Sequence, residues 1–153
     1  MELTLVIVIT AVVAGFSARL LTSGVDMFDY LNTRKEALES SRMALQRMVK
    51  EVRQVSATSA IQKATTDTLR FVNINNSSVQ LRYANQCILL NNQVLIDQIS
   101  GFGFSFYNAN GTLLSFPITN PALIWRIRLS FTRAGRSQPM TWREDIVPRN
   151  FRN

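Results

Sequence analysis

The chain has no histidine and a single cysteine, Cys87, among its 153 residues. Without histidine, neither a Ser-His nor a Cys-His pair exists to activate a nucleophile. Zinc sites built on histidine or on several cysteines have no ligands. One cysteine also excludes an internal disulfide, and in Gln86-Cys87-Ile88-Leu89-Leu90 it reads as a small buried strand residue. Acids are sparse beyond residue 63, where only Asp67, Asp97, Glu144 and Asp145 occur. Glu144-Asp145 alone does not make a calcium loop, which spaces several oxygen ligands along one turn. The expectation is a protein with no catalytic residue, no metal and no cofactor, and so not an enzyme.

Lysine is scarce as well: Lys35, Lys50 and Lys63 all fall in the first half. All four prolines and eleven of the fourteen aromatics lie beyond residue 64. This shift separates a helical N-terminal part from a strand-rich C-terminal part. The net charge of +7 divides as −2 over residues 1–33, +4 over 34–63 and +5 over 64–153. The basic excess is therefore spread along the chain, as on an ordinary solvated surface, and does not form a polybasic run.

What the chain has in abundance is an apolar beginning. Residues 3–18 carry no charge. As a helix they reach about 24 Å, short of the roughly 30 Å of a bilayer's hydrocarbon core. Arg19 can snorkel, and Leu20 and Leu21 extend the run. Four or five further apolar residues upstream would complete a comfortable span. Leu3, Leu5, Val6, Ile7, Val8, Ile9, Val12, Val13 and Phe16 form its body. A secretory leader would start with a basic region, but here the flanking charge is Glu2, and Gly15 with Ser17 makes a poor cleavage pair.

Gly24 is a weak point in the helix, after which the pattern resumes. Leu38, Leu45 and Val52 recur every seven residues, with Met48 and Val55 three places after the last two. This predicts an amphipathic stripe packed on a sheet. Glu39 with Arg42, and Arg47 with Glu51, are spaced for surface ion pairs.

After a soft helix end near residues 56–59 and a polar stretch through 62–67, the period changes to two. Strands are predicted at 69–74, 79–83, 87–90, 94–96 and around Phe102, Phe104 and Phe106. The clearest alternates Trp125, Ile127, Leu129 and Phe131 with Arg126, Arg128, Ser130 and Thr132. Shorter pieces follow at 140–142 and 146–147. The expected fold class is α+β: a long N-terminal helix, apolar then amphipathic, packed on an antiparallel sheet of five to seven strands. The expected divisions are 1–22 for the apolar helix, 23–60 for its amphipathic continuation and 61–153 for the sheet domain.

The stretch ELTLVIVI at 2–9 resembles the N-terminal segment of type IV pilins and type II secretion pseudopilins. Their mature chains begin with an aromatic residue, Thr-Leu, another apolar residue, and a glutamate at the fifth place before a hydrophobic run. Matched so, Glu2 takes the glutamate's place, and the basic leader and first mature residues would precede Met1. A start placed too late, or a truncated chain, is the expectation. A long helix before an antiparallel sheet, and the stretch FSFYNANG at 104–111, are similar to minor members of the family. The resemblance implies an inner-membrane protein with its sheet domain in the periplasm, processed by a prepilin peptidase that removes the leader and methylates the new N-terminus. It then joins an extracellular or periplasmic filament of other pilin or pseudopilin subunits. The role implied for Glu2 is to pair with a neighbour's N-terminal amine, since an unpaired carboxylate among apolar helices is costly.

A different class of function is also open. Arg126, Arg128, Arg133 and Arg136 would let a membrane-anchored binding module contact nucleic acid or another polyanion.

Overall fold

The computed structural model describes residues 2–135 and 138–152, and for Glu2 and Arg152 the backbone alone. One long helix, α1 (Glu2–Arg53), is followed by eight strands: β1 (Ile61–Ala64), β2 (Thr68–Val72), β3 (Ser78–Ala84), β4 (Cys87–Leu90), β5 (Gln93–Ile96), β6 (Ile99–Tyr107), β7 (Arg126–Arg133) and β8 (Met140–Ile146). The fold is α+β, with the helix packed against antiparallel sheet. Contacts divide the chain into two compact units, Met1–Glu39 and Ser40–Asn153.

The first unit is helix alone, and its apolar side chains from Leu3 to Leu31 are exposed. No proline interrupts it.

The second unit contains the core. Ser41, Ala44, Met48 and Val52 are buried, a spacing of three and four that keeps one helical face turned inward, and Val55, just beyond the helix, is buried too. Leu45 and Val49 flank that face, half-buried against the core. Leu38, predicted to pack on the sheet, is 39% exposed, because helix burial begins only at Ser41. Arg47 pairs with Glu51 at 3.0 Å, while Glu39 meets Lys35 at 3.8 Å. The helix ends at Arg53, with Lys50 and Arg53 in a last turn that favours cations. Backbone pairing takes over at once: Ser56 N–H donates to the Val72 carbonyl, Ile74 N–H to that of Gln54, and Val55 bridges Asn73.

The expected single sheet is two. The first is a five-stranded meander in the order β1-β2-β3-β4-β5, the second a three-stranded meander β6-β7-β8, all antiparallel. Both turn an apolar face inward. Leu69, Phe71, Leu81 and Ile88 come from the first sheet, and Phe104, Phe106, Ile127, Leu129 and Phe131 from the second. Two of the tight hairpins are built on residues with positive φ: Asn85 and Gln86 join β3 to β4, and Asn91 and Asn92 join β4 to β5. A two-residue turn with both φ positive matches strand twist, and asparagine tolerates it best after glycine.

Candidate functional site

The apolar start of α1 is the first candidate surface. Charge-free from Leu3 to Ala18, it is exposed throughout, and it lies in the one helix among the described residues that is long and apolar enough to cross a membrane. Three hydroxyls along it are satisfied within the helix. Thr10 donates to the Val6 carbonyl at 2.8 Å, Ser17 to Val13 at 2.9 Å and Thr22 to Ala18 at 2.9 Å. Such back-bonding spares a hydroxyl the desolvation cost of an apolar environment. The segment can thus enter lipid, or a packed bundle of helices, without stranding those polar groups. The backbone of Glu2 begins α1. Its carboxylate, assigned by resemblance to inter-subunit pairing, lies outside the described side chains.

The basic face of β7 is the second candidate. Arg126 and Arg128 project on the side opposite buried Ile127 and Leu129. Both guanidinium groups lie over the Tyr107 ring, at 4.5 and 4.9 Å from its centroid. Arg128 also donates to the Tyr107 hydroxyl at 2.9 Å. Asp145, across the ladder on β8, accepts from Arg128 Nε at 2.6 Å and Nη2 at 2.9 Å, and lies 3.7 Å from Arg126. The hydrogen bonds from Arg128 hold the Asp145 carboxyl below its usual range, against the opposing effect of partial burial. Arg128 is raised in turn by Asp145.

Arg133 sits apart, its side chain 11% exposed, bonded to the Ser40 hydroxyl and 3.5 Å from Asp97. Arg136 lies outside the described residues. Among the described residues, the arginines grouped in the sequence therefore do not form one free cationic patch: Arg126 and Arg128 share an acid, and Arg133 bonds Ser40 of the helix. Among the described residues, no three His, Cys, Asp or Glu side chains gather as metal ligands would.

A third feature escapes any reading of the sequence. The last turns of α1 and the edge strand β8 border a groove of about 780 Å³, which Arg149 and Asn150 of the 3-10 turn Arg149–Arg152 also line. Leu45, Val49, Ile74 and Trp142 give it an apolar lining. Arg42, Lys50, Arg53 and Arg149 supply four cations against one acid, Glu144. The cations come from segments more than a hundred residues apart, and only the fold gathers them. The signal available beforehand was the +4 charge of residues 34–63.

No protein-family model matches the chain, and no curated protein matches it.

Proposed function

We propose that this chain is a non-catalytic structural subunit of a filament of the type IV pilus or type II secretion pseudopilus kind, of the minor type. It waits in the bacterial inner membrane on α1, with its sheet unit in the periplasm, after a prepilin peptidase has processed a longer precursor. It then assembles helix to helix with other such subunits. The observation that carries this reading is the apolar run of α1: fully exposed, free of charge over residues 3–18, with Thr10, Ser17 and Thr22 bonded internally, and continued into a helix segment packed on antiparallel sheet. Such a surface is stable only against lipid or against other apolar helices. Glu2, at its edge, is the carboxylate that would select the register of neighbouring helices by demanding a cation.

The engagement of Arg126 and Arg128 by Asp145 weighs against the polyanion-binding alternative. The test of the assembly reading is Glu2→Ala in the full-length precursor in its host. The variant is expected to fractionate with the membrane and keep its folded sheet unit, yet be absent from sheared filaments. Incorporation at the wild-type level would refute the role of Glu2, and a wild-type chain found only in soluble fractions would refute the reading as a whole.

A further inference from the structure

The groove beside β8 has an excess of positive charge and no described partner for it. Among the described residues, none of Arg42, Lys50, Arg53 and Arg149 takes part in an ion pair or a side-chain hydrogen bond. Four cations around an apolar floor repel one another and favour an anionic, partly apolar occupant. The floor is set by the strand pleat: Trp142 pairs with Phe131 and Glu144 with Leu129, both buried, so these two β8 side chains share the inward face at the open edge of the sheet.

The chain itself carries a segment of complementary character. Between residues 20 and 33 the only charges are Asp26 and Asp29, and neither carboxylate is in an ion pair among the described residues. Val25, Met27, Phe28 and Leu31 around them are all more than half exposed. On a helix of 3.6 residues per turn, Val25, Asp26, Phe28 and Asp29 fall on one side, so acid and apolar groups are presented together. An exposed apolar cluster beside two unpaired acids is unexplained within one copy. The groove has the opposite charge and an apolar base, and it lies on a surface that every other copy also carries.

We propose that the groove receives the 25–31 face of α1 from a second copy of this chain. Asp26 and Asp29 meet the groove's cations, and Phe28 packs on Leu45, Val49 and Trp142. The contact is heterologous, one surface against a different surface, so a copy bound through its groove still offers its own helix face to another subunit, and the contact extends wherever the rotation between copies does not close. It rests on the assembly reading and deepens it, since it gives the sheet unit its own part in choosing a neighbour.

The experiment uses the full chain in detergent micelles, in a Cys87→Ser background. One tagged copy carries Phe28→Cys and a differently tagged copy Gln46→Cys, Gln46 being a groove residue. Mild oxidation is expected to yield the mixed disulfide. Adding D26R and D29R to the first copy is expected to reduce the yield about tenfold or more, the effect of juxtaposing like charges. Adding R42D and R53D to the second copy is expected to restore it. A yield unmoved by charge reversal, or equal to that of a Ser78→Cys control, overturns the groove contact. Oligomers persisting in that case leave assembly through the apolar helix standing. A wild-type chain monomeric in micelles overturns the contact, and one absent from sheared filaments of its host overturns the assembly reading as well. Protection of Gln46→Cys from thiol reagents by anionic lipid, without cross-linking, assigns the groove to lipid and likewise overturns the proposal.

Discussion

Arg128 and Asp145 face each other across β7 and β8 and are joined by a two-pronged bond, Nε to Oδ1 at 2.6 Å and Nη2 to Oδ2 at 2.9 Å. The fork fixes the guanidinium plane, which lies over Tyr107 on β6, so three strands are tied through one arginine.

This pairing predicts an acid-side loss of stability. The folded Asp145 carboxyl titrates below its ordinary 3.8. Its contribution is therefore present above the unfolded value and disappears as pH falls through the lower folded one. The melting difference between the wild type and Asp145→Asn is expected to be constant above about pH 5 and to shrink as pH falls below the ordinary carboxylate range. Asp67, held low mainly by the 2.7 Å bond from the Thr65 hydroxyl, titrates in the same direction. The Asn variant thus keeps some acid sensitivity. A difference that grows on acidification would contradict the assignment.

Arginine engagement also predicts a negative result. Replacing Arg126 and Arg128 together by serine is expected to leave salt-dependent retention on nucleic acid nearly unchanged, because Asp145 engages Arg128 directly and lies 3.7 Å from Arg126, leaving the trio with a single net positive charge. A drop in affinity with a shallower salt slope would reinstate the polyanion face.

The helix stripe gives a sharper contrast. Met48 is fully buried, whereas Leu38 is substantially exposed. Met48→Ala is expected to destabilise the sheet unit by about 2–5 kcal/mol, and Leu38→Ala by less than about 0.5 kcal/mol. Denaturant midpoints followed by tryptophan fluorescence would check this, since Trp125 and Trp142 both pack against the core. Equal effects would mean that the two residues have the same surroundings.

The reason Leu38 misleads is geometric. A strict seven-residue repeat drifts by about 20° per heptad around a straight helix. Leu38, Leu45 and Val52 read as one line, yet the buried helix face runs through Ser41, Ala44, Met48 and Val52. The alternation of Ile127, Leu129 and Phe131 was legible because a central strand buries one full face. β1 was not, since in Ile61-Gln62-Lys63-Ala64 only Ile61 is buried and an edge strand needs no more. β8 reads as two fragments because Arg143, Glu144 and Asp145 interrupt the apolar pattern. Asp145 faces out to Arg128 and Glu144 sits at the groove, so charge is compatible with a continuous strand there. The break into two sheets falls at Asp97 and Gln98, where φ of 58° at Gln98 turns the chain, and no apolar period marks it. The basic groove was illegible because its cations are assembled by tertiary packing.

Gln86 offers a route to a more stable chain. Its φ of 59° is unfavourable for a side chain with a Cβ, by about 1–2 kcal/mol. Gln86→Gly is expected to raise the melting temperature by a few degrees, the added freedom of glycine in the unfolded chain offsetting part of the gain. The Ile99 N–H bond to the Gln86 carbonyl is made by backbone and survives the change. A lowered melting point would show that the glutamine side chain contributes more than the turn strain it imposes.

In both sheets every strand pairs with the strand next to it in sequence. Each hairpin can therefore close as soon as its own residues are free, with short loops everywhere except between β6 and β7, where residues 108–125 intervene. The other exception is the junction of Gln54 and Val55 with β2, together with the helix face that covers the sheets. Folding of the sheet unit can then run from the N-terminal side onward, with no late strand to thread between earlier ones.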